Sequence, residues 1–424
     1  MKQLSTISNE NSGGPSSRLG RQPLYFILIT VLIDSIGFGV IIPVMPDLLT
    51  ELLHVSKEEA AVWGGYLGFC YAAMHFVFGP LIGSLSDQFG RRPVLLISMA
   101  ALVVDYLILG FASTIGVLFL GRILTGICGA SYSTANAYIA DLTAGSERGK
   151  AFGKIGAAFG IGFILGPVIG GFLGTLSPRA PFFAAAGLAF LNLLYGFFIL
   201  PESLSASNRR RFDWKRSNPL GAFQQVRKFP SIQWLLVASF CLFFAHVVFP
   251  STWQYHGAAR YDWASAEIGI SLMAFGLCST IVQGTLIGRI LGSLGEKRTA
   301  ILGISCSLIA FVGFASATKG WMLYCWIPLS ALGAVTTPAI KSLMSSQVSP
   351  DAQGELQGTL ASLQGIANMV SPIMMTHVFF YFATPNSPHP FYGAAFLLAG
   401  LVLAFSLLPL ILGTRAALTE SNDG

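Results

Sequence analysis

Of 424 residues, 53% are hydrophobic and only 10% are charged, with a net charge of +6. A water-soluble surface ordinarily needs about a quarter of its residues charged. The composition therefore excludes a soluble globular enzyme, and the positive balance is accounted for by membrane topology rather than by nucleic-acid binding.

Residues 1–22 are rich in Ser, Asn and Gly and read as a disordered N-terminal tail. A bilayer core takes about 20 apolar residues per helix, and twelve such stretches follow. Six lie at 23–45, 61–82, 93–112, 116–140, 150–173 and 181–200, a predicted bundle over 23–200. A polar segment, 201–230, carries Arg209, Arg210 and Arg211. Six more stretches, at 231–253, 266–288, 299–317, 320–344, 355–382 and 390–412, predict a second bundle over 231–412, followed by a tail at 413–424. The alternating ten-residue segments of a β-barrel are absent. The first apolar run is too long for a cleaved signal and lacks a small-residue cleavage site, so it is expected to remain as an anchor. The expected fold is an all-α polytopic membrane protein with twelve transmembrane helices in two six-helix bundles.

Lys and Arg concentrate on the cytoplasmic side of membranes. With the N-terminus inside, only Lys57, Arg179, Arg260 and Lys319 fall on the other side, and Arg122 is embedded. Both termini are thus expected in the cytoplasm. The six cysteines, Cys70, Cys128, Cys241, Cys278, Cys306 and Cys325, all lie in apolar runs without metal-ligand spacing, and read as packing residues.

A shift of 205 positions superposes Gly83 on Gly288, Gly90 on Gly295, Gly149 on Gly354, Gly153 on Gly358, Gly160 on Gly365 and Pro167 on Pro372. This internal repeat predicts two pseudo-symmetric halves with a site between them, an arrangement suited to alternating access. The halves differ in charge. Asp34, Asp105 and Arg122 sit in apolar runs of the first half, whereas no carboxylate lies deep in a span of the second. Ionisable groups in hydrocarbon are costly and mark ion pathways or proton relays. Asp34 and Asp105 are candidate proton carriers, with Asp34 preferred for its midspan position. Arg122 keeps its proton at any ordinary pH and would bias a neighbouring carboxylate towards its charged form. Polar groups in spans usually face the bundle interior, which makes Asn136, Tyr138, His246, Gln254, Gln283, Gln364 and Asn368 candidate cargo contacts. His75 and His246 read first as hydrogen-bonded packing residues.

The loop Gly83-Ser84-Leu85-Ser86-Asp87-Gln88-Phe89-Gly90-Arg91-Arg92-Pro93 offers a tight turn and a charge pair, Asp87 with Arg91 and Arg92, that could latch one state and release in the other. In the fifth span, Gly156 and Gly160, then Gly162, Gly166 and Gly170, repeat every fourth residue, and Pro167 can bend the helix they line. No phosphate loop, H-E-x-x-H, G-x-S-x-G or paired-cysteine motif occurs, so neither covalent catalysis, ATP use, a metal nor a cofactor is expected.

These motifs resemble those of the major facilitator superfamily. The loop resembles its G-x-x-x-D-R-x-G-R-R signature, with Gln88 in place of the usual arginine. Leu118-x-x-x-Arg122-x-x-Thr125-Gly126-x-x-Gly129-Ala130 resembles its fourth-span arginine motif, and Gly162-x-x-x-Gly166-Pro167-x-x-Gly170-Gly171 its antiporter motif. Asp34 with Pro43 is similar to the first-span motif of the twelve-span drug–proton antiporters. Over residues 22–412 the chain resembles the Gram-negative tetracycline exporters. The resemblance implies the major facilitator fold, the inner membrane, and export of small amphipathic molecules against entering protons. Its implied partners are cargo, protons and lipid, with a monomer as the working unit. Ser307 stands near the place of an essential span-nine aspartate of those exporters, and Lys341 has no counterpart in the pattern. Export of an endogenous metabolite or siderophore by the same mechanism is the alternative.

Overall fold

The computed structural model describes residues 22–129, 131–143, 145–212, 230–349, 352–384, 387–388 and 390–420. Nearly all of the predicted tail 1–22, and most of the polar segment 201–230, lie outside them. The described residues contain no strand. Ten of their helical stretches are long and apolar enough to cross a bilayer. One of these, Ser265–Ser316, spans 52 residues and breaks at Gly295, where φ is 71°. Ile115–Cys128 and Ser131–Leu142 supply the remaining crossing, giving twelve.

Span 1 is Gln22–Ile41 and Met45–Leu53, joined by a 3-10 turn at Ile42–Val44 where Pro43 and Pro46 interrupt the hydrogen-bond ladder. Spans 2 to 6 are Lys57–Phe89, Arg91–Phe111, Ile115–Cys128 with Ser131–Leu142, Gly145–Gly174 and Ala180–Ile199. Span 7 is Gln233–His246 with Val248–Tyr261. Spans 8 and 9 are the two arms around Gly295, span 10 is Gly320–Leu332 with Thr336–Ser345, and spans 11 and 12 are Gln353–Ala383 and Ala394–Glu420. Several helices outrun their apolar cores. Span 2 begins where Ser56 Oγ accepts from the Glu59 amide at 3.2 Å, and it ends at Gly90. Span 12 continues through Glu420, so most of the predicted tail at 413–424 is helix.

The repeat is visible in the backbone. Gly90 and Gly295, 205 positions apart, both adopt positive φ, at 111° and 71°. Each turns the chain between consecutive spans in a conformation that a side chain would strain. The halves meet along two seams exchanged by the same shift, span 2 on span 11 and span 5 on span 8.

Both seams are closed at one end only. Away from the termini, a side chain at Gly64 would strike Tyr255, at Gly65 Thr376, at Gly269 the Pro167 carbonyl, and at Gly171 the Ser265 carbonyl, 2.5 Å away. Ser265 Oγ also donates to the Gly171 carbonyl at 3.1 Å. Towards the Gly90 and Gly295 turns the helices splay. Gly79, Gly83, Gly153, Gly156, Gly160, Gly284, Gly288 and Gly292 have nothing within 4 Å of where a Cβ would stand. The expected face of small residues in span 5 therefore divides. Gly156 and Gly160 border open space, while Gly162, Gly166 and Gly170 press against the Leu32, Ile36 and Val40 carbonyls of span 1. Overpacking a filled contact costs about 1–3 kcal/mol. Gly170→Leu should thus lower the melting temperature of the detergent-purified protein by several degrees, whereas Gly156→Leu should leave it unchanged, as read by thermal unfolding.

Candidate functional site

Splayed seams leave a chamber of about 680 Å³ between the bundles. Its walls come from spans 1, 2, 3, 4, 7 and 11, including Phe38, Tyr71, His75, Phe76, Arg122, Gln254 and Asn368. The volume lies within the range of small-molecule sites, about 300–1,000 Å³. Most of the wall is apolar. Among the described residues, Arg122 is the one in the lining that carries a permanent charge.

Behind Arg122 stands Asp105. Arg122 Nη2 donates to Asp105 Oδ2 at 2.6 Å. The carboxylate is 1% exposed and the arginine side chain 15%. Gly121 makes the pairing feasible, because a Cβ there would come within 2.6 Å of Asp105 Oδ1. The helix of Asp34 is joined to this pair through Tyr106, the neighbour of Asp105 in span 3. Tyr106 lies directly over Gly37, one turn beyond Asp34, and so couples spans 1 and 3. The structure thus pairs two of the three embedded charges, Asp105 and Arg122, directly.

The turn at Gly90 holds a second polar network. Arg91 Nη1 donates to Asp87 Oδ1 at 2.5 Å, and Arg91 Nε donates to Asp141 Oδ2 of span 4 at 3.2 Å. Glu202, just past span 6, accepts from the backbone amides of Arg91 at 2.9 Å and Arg92 at 3.2 Å, and so caps span 3. The Arg210 amide donates to the Asp87 carbonyl at 3.1 Å. Arg92 was expected to share Asp87, but its guanidinium turns away to donate to the Phe197 carbonyl at 2.7 Å. Asp141 and Glu202 join this network without belonging to any of the motifs. Their signal was present, because each is a lone acid at the end of a span on the face rich in arginine.

The candidate cargo contacts divide. Gln254 and Asn368 line the chamber. Tyr138 does not: it is fully buried near the Gly90 turn, donating to the Pro201 carbonyl at 2.9 Å. His246 is a packing residue, its Nδ1 2.9 Å from the Leu242 carbonyl and its ring against Phe249 and Phe311. Asn136, Gln283 and Gln364 are absent from the chamber lining. Gln283 lies in a π-helical turn, Val282–Leu286, which rotates span 8 out of the register its sequence implies. His75, expected to be packing, lines the chamber together with Tyr71. Ser307 is fully buried against Gly333 of span 10, away from the wall.

Comparison with known proteins matches residues 27–372 to the Major Facilitator Superfamily. The chain belongs to that superfamily. It is 38% identical over 356 residues to the class C tetracycline resistance protein of Escherichia coli, covering 84% of this chain and 89% of that one. It is also 38% identical to the class G tetracycline resistance protein of Vibrio anguillarum, covering 85% and 91%. The crystal structure of the human organic anion transporter MFSD10 shares the fold, with a TM-score of 0.69 at 21% identity over 94% of this chain and all of that one. The protein is a multi-pass membrane transporter of that superfamily.

Removing one partner of a buried ion pair costs about 3–5 kcal/mol, because the other charge is left uncompensated. Asp105→Asn should therefore lower thermal stability more than the double variant Asp105→Asn with Arg122→Gln, a sign of coupling that a double-mutant melting series reads directly.

Proposed function

We propose that this chain sits in an inner membrane with both termini in the cytoplasm and that the structure is its inward-open state. The chamber opens on the face bearing Arg91, Arg92, Arg209, Arg210, Arg211, Lys297 and Arg298, and such clusters favour the cytoplasmic side. Cargo enters from the cytoplasm or inner leaflet, and the bundles rock about the closed ends of the seams. A planar, tetracycline-like molecule is the cargo best supported by the relatives and by the size of the chamber. The working unit is one chain, since its own two halves enclose the whole site.

The Asp105–Arg122 pair carries this reading. Protonating Asp105 takes its negative charge away from Arg122 and shifts the balance of charge at the chamber wall, a change that another acceptor or a conformational change must answer. Asp34 acts as the second carrier. Asp87, Gly90, Arg91 and Glu202 hold the cytoplasmic turn, and Gly162, Gly166, Pro167, Gly170 and Gly171 form the pivot. Each proton entering down the membrane potential releases about 2.3 kcal/mol per 100 mV, equivalent to a cargo gradient of roughly fiftyfold.

Efflux of tetracycline from loaded cells should collapse in the presence of an uncoupler. Asp34→Asn and Asp105→Asn should each cut uncoupler-sensitive efflux at least tenfold while membrane levels of the protein persist. Efflux by wild type that ignores the uncoupler would refute proton coupling.

A further inference from the structure

Four histidines occupy spans, and three of them set one ring nitrogen against a backbone carbonyl. Nδ1 of His246, His256 and His377 lies 2.9, 3.1 and 2.8 Å from the carbonyls of Leu242, Tyr392 and Ile373. His75 differs. Among the described residues neither of its ring nitrogens has a hydrogen-bond partner; its one ring contact is with Tyr71, centroids 5.8 Å apart and planes within 7°. It stands exposed on the chamber wall, so water or cargo must supply its polar contacts.

The register of spans 2 and 11 places a partner for it on the other bundle. Gly365 would strike Phe76, Gly68 faces Pro372, and Gly65 would strike Thr376, so the two helices run antiparallel along the seam. That register sets Asn368 within about one helical turn of His75. Asn368 also lines the chamber, is exposed there, and has no hydrogen-bond partner among the described residues. Farther towards the closed end, Gln254 is 4% exposed and its Oε1 lacks a partner.

We propose that His75 and Asn368 are the specificity-determining pair of the chamber, gripping one hydrogen-bonding edge of a planar cargo from opposite bundles while its ring system lies along Tyr71. The proposal rests on the export reading above and names the chemistry which that site selects. An imidazole can donate at one nitrogen and accept at the other, and a carboxamide does both, so the pair fits a conjugated ring bearing adjacent donors and acceptors. A purely apolar cargo would leave both side chains unsatisfied. Because one residue belongs to each half, cargo in this grip would also bridge the two bodies that must move.

The test uses inverted membrane vesicles energised by a proton gradient, with labelled tetracycline as the probe. His75→Phe keeps an aromatic ring but removes both polar nitrogens, and Asn368→Leu does the equivalent on the other wall. Each should raise KM about tenfold with Vmax within twofold, the loss expected for one or two hydrogen bonds, while His75→Gln should keep KM within threefold of wild type. Unchanged KM in both His75→Phe and Asn368→Leu would overturn the proposal. So would a fall in Vmax at constant KM, which would assign His75 a structural role. If wild-type vesicles show no gradient-driven uptake, it is the export reading that fails. Equilibrium binding of tetracycline to the purified chain then decides: a tenfold weaker Kd in His75→Phe supports the grip, and an equal Kd overturns it.

Discussion

Backbone-to-backbone contact where span 5 passes between spans 1 and 8 is the constraint on which the rest of this molecule depends. Lipid tails are as apolar as leucine, so helices in a bilayer associate through close packing rather than through exclusion of water. Gly162, Gly166 and Gly170 press one side of span 5 onto the carbonyls of span 1, and Gly171 meets Ser265 and Ala266 of span 8. The contacts are dense but short. Past Ile164 against Gly276, and Phe76 against Gly365, the seam glycines towards the Gly90 and Gly295 turns border open space. A seam tight at one end and empty at the other defines a pivot, and the chamber is the volume this leaves.

In the proposed mechanism the buried charges make that geometry responsive to a proton. Asp105 and Arg122 are held together by their neighbours: Gly121 admits the carboxylate against span 4, and the arginine reaches it from the chamber wall. In a low-dielectric setting neither charge is tolerable alone. Protonating Asp105 is thus linked to whatever next accepts the guanidinium, whose Nε has no partner among the described residues. Tyr106 ties Asp105's helix to Gly37 of span 1, the helix of Asp34, and span 1 in turn carries the pivot of span 5. Direct contacts therefore join the Asp105–Arg122 pair to the seam of spans 1 and 5.

Architecture was more legible in the sequence than chemistry. Apolar length located every span, and the glycine register revealed the repeat, because both are imposed residue by residue by the bilayer and by turn geometry. Helix ends were misjudged because they project beyond the hydrocarbon, as in span 2, which begins at Ser56 through a cap rather than through hydropathy. The paired charges Asp105 and Arg122 were identifiable singly, since any ionisable residue in an apolar run stands out. That Asp105 meets Arg122 directly was not, since it depends on how spans 3 and 4 rotate about their axes. The same rotation sends Tyr138 and His246 into packing while His75 faces the chamber. Composition cannot tell a polar side chain that points inward from one satisfied by its own helix, and hydroxyls and imidazoles bond the carbonyl one turn back throughout this chain.

The two halves share a framework but have opposite charges where they meet. Lys57 and Asp262 are the same position in the two repeats, and Lys57 Nζ donates to Asp262 Oδ1 at 3.0 Å and to the Ala258 carbonyl at 3.2 Å. Equivalent positions that touch lie on the pseudo-twofold axis, so a faithful repeat would place like charges in contact there and repel. Having lysine in one half and aspartate in the other turns that point into an attraction across the closed face. At the opposite face the asymmetry works differently. Asp87, Arg91 and Asp141 form a network within the first half, whereas their counterparts in the second half are Gly292, Glu296 and Ser346. The first half's turn is thus held as a unit by its own charges and by Glu202. Sequence divergence between the repeats has in this way given a symmetric scaffold one face that holds and one that opens.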